Sequence, residues 1–157
     1  MKMKNEVTLF KTVTTAVMSA LTSLFGALAI PILLMVSSNI IDYITGLIAA
    51  PQRGEGINSY KGIRGITKKV CMWLLVAVGA IVDQLLKYAS VTLGFTMPFT
   101  FLVATVVTIW IICNEIISIL ENLADIGVPV PGFLNPLVKN IRNQVETITG
   151  TEESEEK

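Results

Sequence analysis

Histidine is absent from the 157-residue chain. Its absence removes the side chain most often used as general base and as metal ligand near neutral pH. Charge is scarce as well. Asp, Glu, Lys and Arg together make up 15% of residues, against about 25% in an average soluble domain. The scarcity is uneven: no charged residue lies between Lys11 and Asp42, and none between Lys87 and Glu115. A soluble helix carries charge on its outer face, so two such gaps point to lipid as the solvent. The formal net charge of zero argues against a nucleic-acid partner. The two cysteines, Cys71 and Cys113, sit inside apolar runs. They read as small buried hydrophobes rather than as a disulfide or as reactive thiols.

What remains is apolar sequence, with a mean hydropathy of +0.67. From Thr12 to Ala50 it is interrupted by Gly26 and Pro31. As one helix this stretch would run about 58 Å, nearly twice a bilayer core of about 30 Å. The chain is therefore expected to turn at Gly26–Pro31, because Gly favours helix ends and Pro helix starts. That predicts an all-α integral membrane protein with about four transmembrane helices plus a C-terminal amphipathic helix. The membrane domain covers 1–122, with helices near 8–26, 28–50, 70–90 and 97–120 and a basic, glycine-broken loop at 51–69. Residues 123–148 hold a Pro/Gly connector and the amphipathic helix, with Leu134, Leu137, Val138, Ile141, Val145 and Ile148 on one face. Residues 149–157 form an acidic tail whose composition predicts disorder.

Four spans put the basic N-terminus, the 51–69 loop and the Lys139/Arg142 segment on one side, which the positive-inside rule makes the cytoplasm. Both termini are then cytoplasmic, in a bacterial cytoplasmic membrane. A basic start followed by an apolar run and Ala27-Leu28-Ala29 also fits a cleavable signal peptide, against which Glu6 and the hydroxyl-rich run weigh.

Asp42, Asp83 and Glu115 lie within or near the spans, with Glu121 at the end of the last. An ionisable group in hydrocarbon costs from about 2.5 kcal/mol upward, so each should face protein, water or a partner charge. One reading makes them the lining of an aqueous path. The other is structural, with Asp83 paired to Lys87 at i+4 and Asp42 or Glu115 to Arg64, Lys68 or Lys69. Thr15, Ser19, Ser23 and Gly26 fall near one stripe of the first helix. Such a stripe suits close helix packing, within a subunit or between subunits. The amphipathic segment suits either the cytoplasmic lipid interface or a bundle of copies. No nucleophile–base pair and no metal cluster is legible, so neither catalysis nor a cofactor is expected.

The run IDYITG (Ile41–Gly46), then SYKGIRGITKK (Ser59–Lys69), a span carrying Asp83, NEIISILEN (Asn114–Asn122) and LADIGVPVP (Leu123–Pro131) occur in fixed order. In this the chain resembles the clostridial toxin-secretion and phage-lysis holin family over residues 30–138. The matching positions are Asp42, Gly46, Ser59, Lys61, Gly62, Gly65, Lys68, Lys69, Asp83, Asn114, Glu115, Ser118, Glu121, Asn122, Gly127 and Pro129. The resemblance implies a protein that oligomerises in the membrane and opens lesions, with an endolysin or a toxin as functional partner. The tail departs from the family's common basic ending, so no timing role is carried over to it. The competing classes are a small channel or transporter subunit, in which the acids conduct ions, and a membrane assembly factor without a pore.

Overall fold

The computed structural model describes residues 2–56, 58–96 and 101–149, giving only the backbone for residues 2–5, 18, 20–25, 61 and 149. Five α-helices follow one another: α1 Lys2–Phe25, α2 Ala29–Ala49, α3 Ser59–Leu93, α4 Leu102–Ile126 and α5 Leu134–Thr149. Among the described residues there is no strand. Three stretches are long and apolar enough to cross a membrane: Gly26–Ala49, Gly62–Leu93 and Leu102–Ile126.

The expected break between the first two helices is a single 3-10 turn, Gly26–Leu28. Gly26 adopts a φ of 52°, a left-handed conformation that glycine reaches without strain. Pro31 falls in the first turn of α2, where its missing N–H has no helical acceptor to lose.

The third helix differs from expectation. It begins at Ser59 rather than near Val70, so much of the predicted 51–69 loop is helical. The start is set by Asn58, whose side chain accepts a hydrogen bond of 2.8 Å from the Tyr60 N–H, a regular N-cap. Gly62 does not break the helix. It faces Tyr43, whose hydroxyl would stand in ordinary contact, 3.5 Å, with a Cβ placed there. At 35 residues α3 is about 52 Å long, so it overshoots the hydrocarbon core. α4 is also displaced toward its C-terminus relative to the predicted 97–120, of which residues 97–100 lie outside the described residues. It ends at Gly127, φ 92°, whose N–H bonds back to the Ala124 carbonyl.

α4 is the hub, with α2, α3 and α5 all packed on it. α2 runs parallel to α4: the 26–28 turn lies beside Phe101, Met35 packs against Ile111, and Asp42 meets Asn122. α3 runs antiparallel, with Gly79 beside Ala104 and Lys69 beside Glu115. Met35, Val76 and Ile111 form one core, shielded by Met72, Val107, Trp110 and Ile112. Where α3 crosses α4, a Cβ on Gly79 would come within 3.0 Å of the Ala104 Cα. The helices there touch backbone to backbone, the close approach that small residues permit in membranes.

The C-terminal helix also departs from expectation. α5 neither projects from the bundle nor lies apart from it. Its Val138 is buried with Cys113 and Ile117 of α4, so the two helices form a hairpin. The described side chains of α1, Glu6–Val17 and Ser19, are all exposed. Thr15 and Ser19 are therefore not buried by the described residues, and the Ser23 side chain lies outside them.

Candidate functional site

The chain's intramembrane charges converge between α2, α3 and α4. Lys69 of α3 extends its ammonium to two carboxylates at once. Its Nζ stands 2.9 Å from Asp42 Oδ2 and also donates to Glu115 Oε2. The three side chains are 15%, 16% and 6% exposed, so water reaches the ion pairs poorly. Burial of that kind is tolerable only where each charge has partners.

The network continues toward the end of the bundle. Asn122 of α4 donates its amide N–H to Asp42 Oδ1 and to Thr45 Oγ1, each at 3.1 Å. Its carbonyl accepts from Arg53 Nη2, and Arg53 Nε pairs with Asp125. Gly46 lies beside this network, where a Cβ would make an ordinary contact, 3.6 Å, with Asn122 Nδ2. Helical rise puts Asp42 about 10 Å from the C-terminal end of α2 and Glu115 about 16 Å from that of α4. Two carboxylates against Lys69 leave one formal negative charge, while Arg53 is matched by Asp125. Among the described residues no group of three or more His, Cys, Asp or Glu side chains comes together. Each carboxylate of the network is thus paired with a cationic side chain of the same chain, with one negative charge left over.

Asp83 stands apart from this network and does something not foreseen. It does not turn to Lys87. Its two oxygens accept the backbone N–H groups of Val103 and Ala104, each at 2.9 Å. α4 begins at Phe101, which offers no side-chain cap. The carboxylate of a neighbouring helix supplies what the local sequence lacks, and its charge suits the positive end of the α4 dipole.

Asn114 accepts a hydrogen bond of 3.2 Å from Arg142 of α5. Ser118 is half-buried on α4, and Glu121 is exposed. Arg64 and Lys68 are exposed on α3 and line an open groove of about 430 Å³ with Tyr60, Thr67 and Cys71. The Lys61 side chain lies outside the described residues. Sequence reasoning missed Arg53, Asp125, Thr45, Arg142 and Glu146. For Asp125 a signal existed, since it follows Asn122 by three positions and so shares its face of α4.

A model of the bacteriophage holin family matches residues 19–143. The chain belongs to that family. The holin match takes in the whole charge network, from Asp42 to Asp125. A probable holin of Bacillus phage phi105 is 37% identical over 101 residues, covering 64% of this chain and 66% of that protein. An uncharacterized protein of Clostridium perfringens, CPE0383, is 35% identical over 123 residues, 78% of this chain and 83% of its own. The uncharacterized YqxH of Bacillus subtilis is 32% identical over 123 residues, 78% of this chain and 79% of its own. No solved structure matches.

Proposed function

We propose that this member of the family is itself a holin. It accumulates in a bacterial cytoplasmic membrane, oligomerises, and opens lesions through which an endolysin, or a toxin, reaches the wall. α1 serves as a fourth span, and the N-terminus and the 50–58 loop face the cytoplasm in keeping with their basic residues. The relationship to the phage phi105 probable holin supports this reading.

The observation that carries it is the inward pairing of Lys69 with Asp42 and Glu115. With those charges turned inward, α2 and α3 present Ile30, Leu34, Ile44, Leu74, Val78 and Ile81 outward. Such a subunit is at home in lipid and can build up without leaking. A narrow ion channel would also use buried carboxylates, so the test must separate the two. Expressed alone in bacteria, the protein should abolish membrane potential and viability with little loss of turbidity. Co-expression of an endolysin lacking a signal sequence should then produce rapid lysis. A folded enzyme is tens of ångströms across and cannot pass an ion path. Retention of active endolysin inside depolarised cells refutes the large-lesion reading.

A further inference from the structure

The α4–α5 hairpin puts a polar helix where lipid is expected. Its contacts keep a constant antiparallel register: Val138 with Cys113 and Ile117, Arg142 with Asn114, and Glu146 with Trp110 through an indole N–H bond of 2.8 Å. Arg142 Nε also stands 3.5 Å from Glu146 Oε1. Trp110 lies about 24 Å up α4 from Ile126, counted at 1.5 Å per residue, and only about 12 Å from the other end. If α4 crosses a core of about 30 Å, the Glu146–Trp110 contact is deep inside it. A helix lying in the headgroup layer would touch α4 only near Ile126.

α5 is about 24 Å long, and its surface divides three ways. Val138, Arg142 and Glu146 face α4. Leu137, Ile141 and Ile148 are exposed on one flank. Asn140, Asn143 and Thr147 are exposed on another, turned away from α4. The first flank is apolar apart from Gln144, which follows Leu137 by seven residues, and it suits lipid. The second does not, because amide side chains in hydrocarbon lose their water without gaining partners.

We propose that α5 is a re-entrant helix whose Asn140–Asn143–Thr147 flank borders water within the membrane. The assignment rests on the membrane reading of α4, and it gives the proposed holin lesion its polar wall. It also carries Thr149 away from the cytoplasmic end of α4, contrary to the cytoplasmic C-terminus expected from sequence.

The test uses the full chain with Cys71 and Cys113 replaced by alanine, embedded in native membranes. Single cysteines at Asn140, Asn143, Leu137 and Ile141 are exposed to a charged, membrane-impermeant thiol reagent. Asn140→Cys and Asn143→Cys should react about tenfold or more faster than Leu137→Cys and Ile141→Cys, because the thiolate is the reacting form and apolar surroundings suppress it. In a second arm, a Trp110→Cys/Glu146→Cys pair should be joined by a short bifunctional thiol reagent. Fast labelling without that cross-link places α5 on the membrane surface and overturns the proposal. Equal, slow labelling at all four positions means that lipid or another copy covers the polar flank, and overturns it too. Both arms are read on membranes whether or not cells lyse, so they stand apart from the endolysin test of the holin reading.

Discussion

Replacing Lys69 by methionine keeps the length and the apolar stem of the side chain but removes the cation shared by Asp42 and Glu115. Both carboxylates then face each other across a poorly hydrated gap, with the Asn122 amide still donating to Asp42. Removing one partner of a buried ion pair costs about 3–5 kcal/mol, because the remaining charge keeps its desolvation penalty. At about 1.4 kcal/mol per tenfold, that lowers the folded-to-unfolded ratio by two to more than three powers of ten. The compensating variant carries Lys69→Met with Asp42→Asn and Glu115→Gln, which removes all three charges at nearly constant volume. It should regain most of the loss, since neutral replacement of a buried ion cluster is often tolerated. Denaturation in mixed micelles, followed by the fluorescence of Trp73 and Trp110, measures both variants. A loss below about 1 kcal/mol for Lys69→Met is the size expected of an exposed pair and would refute the buried-network reasoning. So would a triple variant no more stable than the single one.

Three further outcomes are expected. Asp83→Ala should cost about 1–2 kcal/mol, the range for losing a helix cap, and speed hydrogen exchange at the Val103 and Ala104 amides; Lys87→Ala should do neither. Gly79→Val should lower stability in the same micelle assay by about 1–3 kcal/mol, the range for overpacking, because the Ala104 backbone cannot retreat without moving α4. Gln52→Cys and Thr96→Cys, at opposite ends of α3, should label from opposite sides of the membrane; labelling of both from one side contradicts a spanning α3.

Much of the bundle was legible because lipid imposes simple rules. The two charge gaps marked apolar helices, and the Gly26–Pro31 signal located the first turn. Lys69 stood among three candidate partners for the acids, and only packing could single it out. α3 was misjudged at its start because Gly62 and Gly65 read as punctuation. In fact Asn58 caps the helix, and both glycines lie inside it. Asp83 was assigned to Lys87 because i+4 spacing is visible in sequence, whereas a backbone N–H twenty residues on is not. Yet a signal existed. Phe101, at the N-cap of α4, has no polar side chain to cap the helix, and exposed N–H groups at a membrane helix end demand an acceptor. Arg53 and Glu146 were passed over because each lies outside the apolar runs, where charge looks unremarkable.

A holin must satisfy two opposed demands, solubility in lipid as a dispersed subunit and a wetted surface after assembly. Opening the Lys69 network to supply that surface would unpack the α2–α3–α4 core around it in every subunit. The structure offers polar surface that needs no unpacking. The α1 hydroxyls of Thr12 and Thr14 bond to carbonyls four residues earlier, at 2.9 and 2.8 Å, so they are satisfied in lipid and free to meet another helix later. The Asn140–Asn143 flank of α5 already faces outward. On the proposed reading, assembly through α1 and wetting along α5 would leave the α2–α3–α4 core intact. On this logic the buried network acts as the clamp that fixes the bundle, and the faces that change partners lie on the first and last helices.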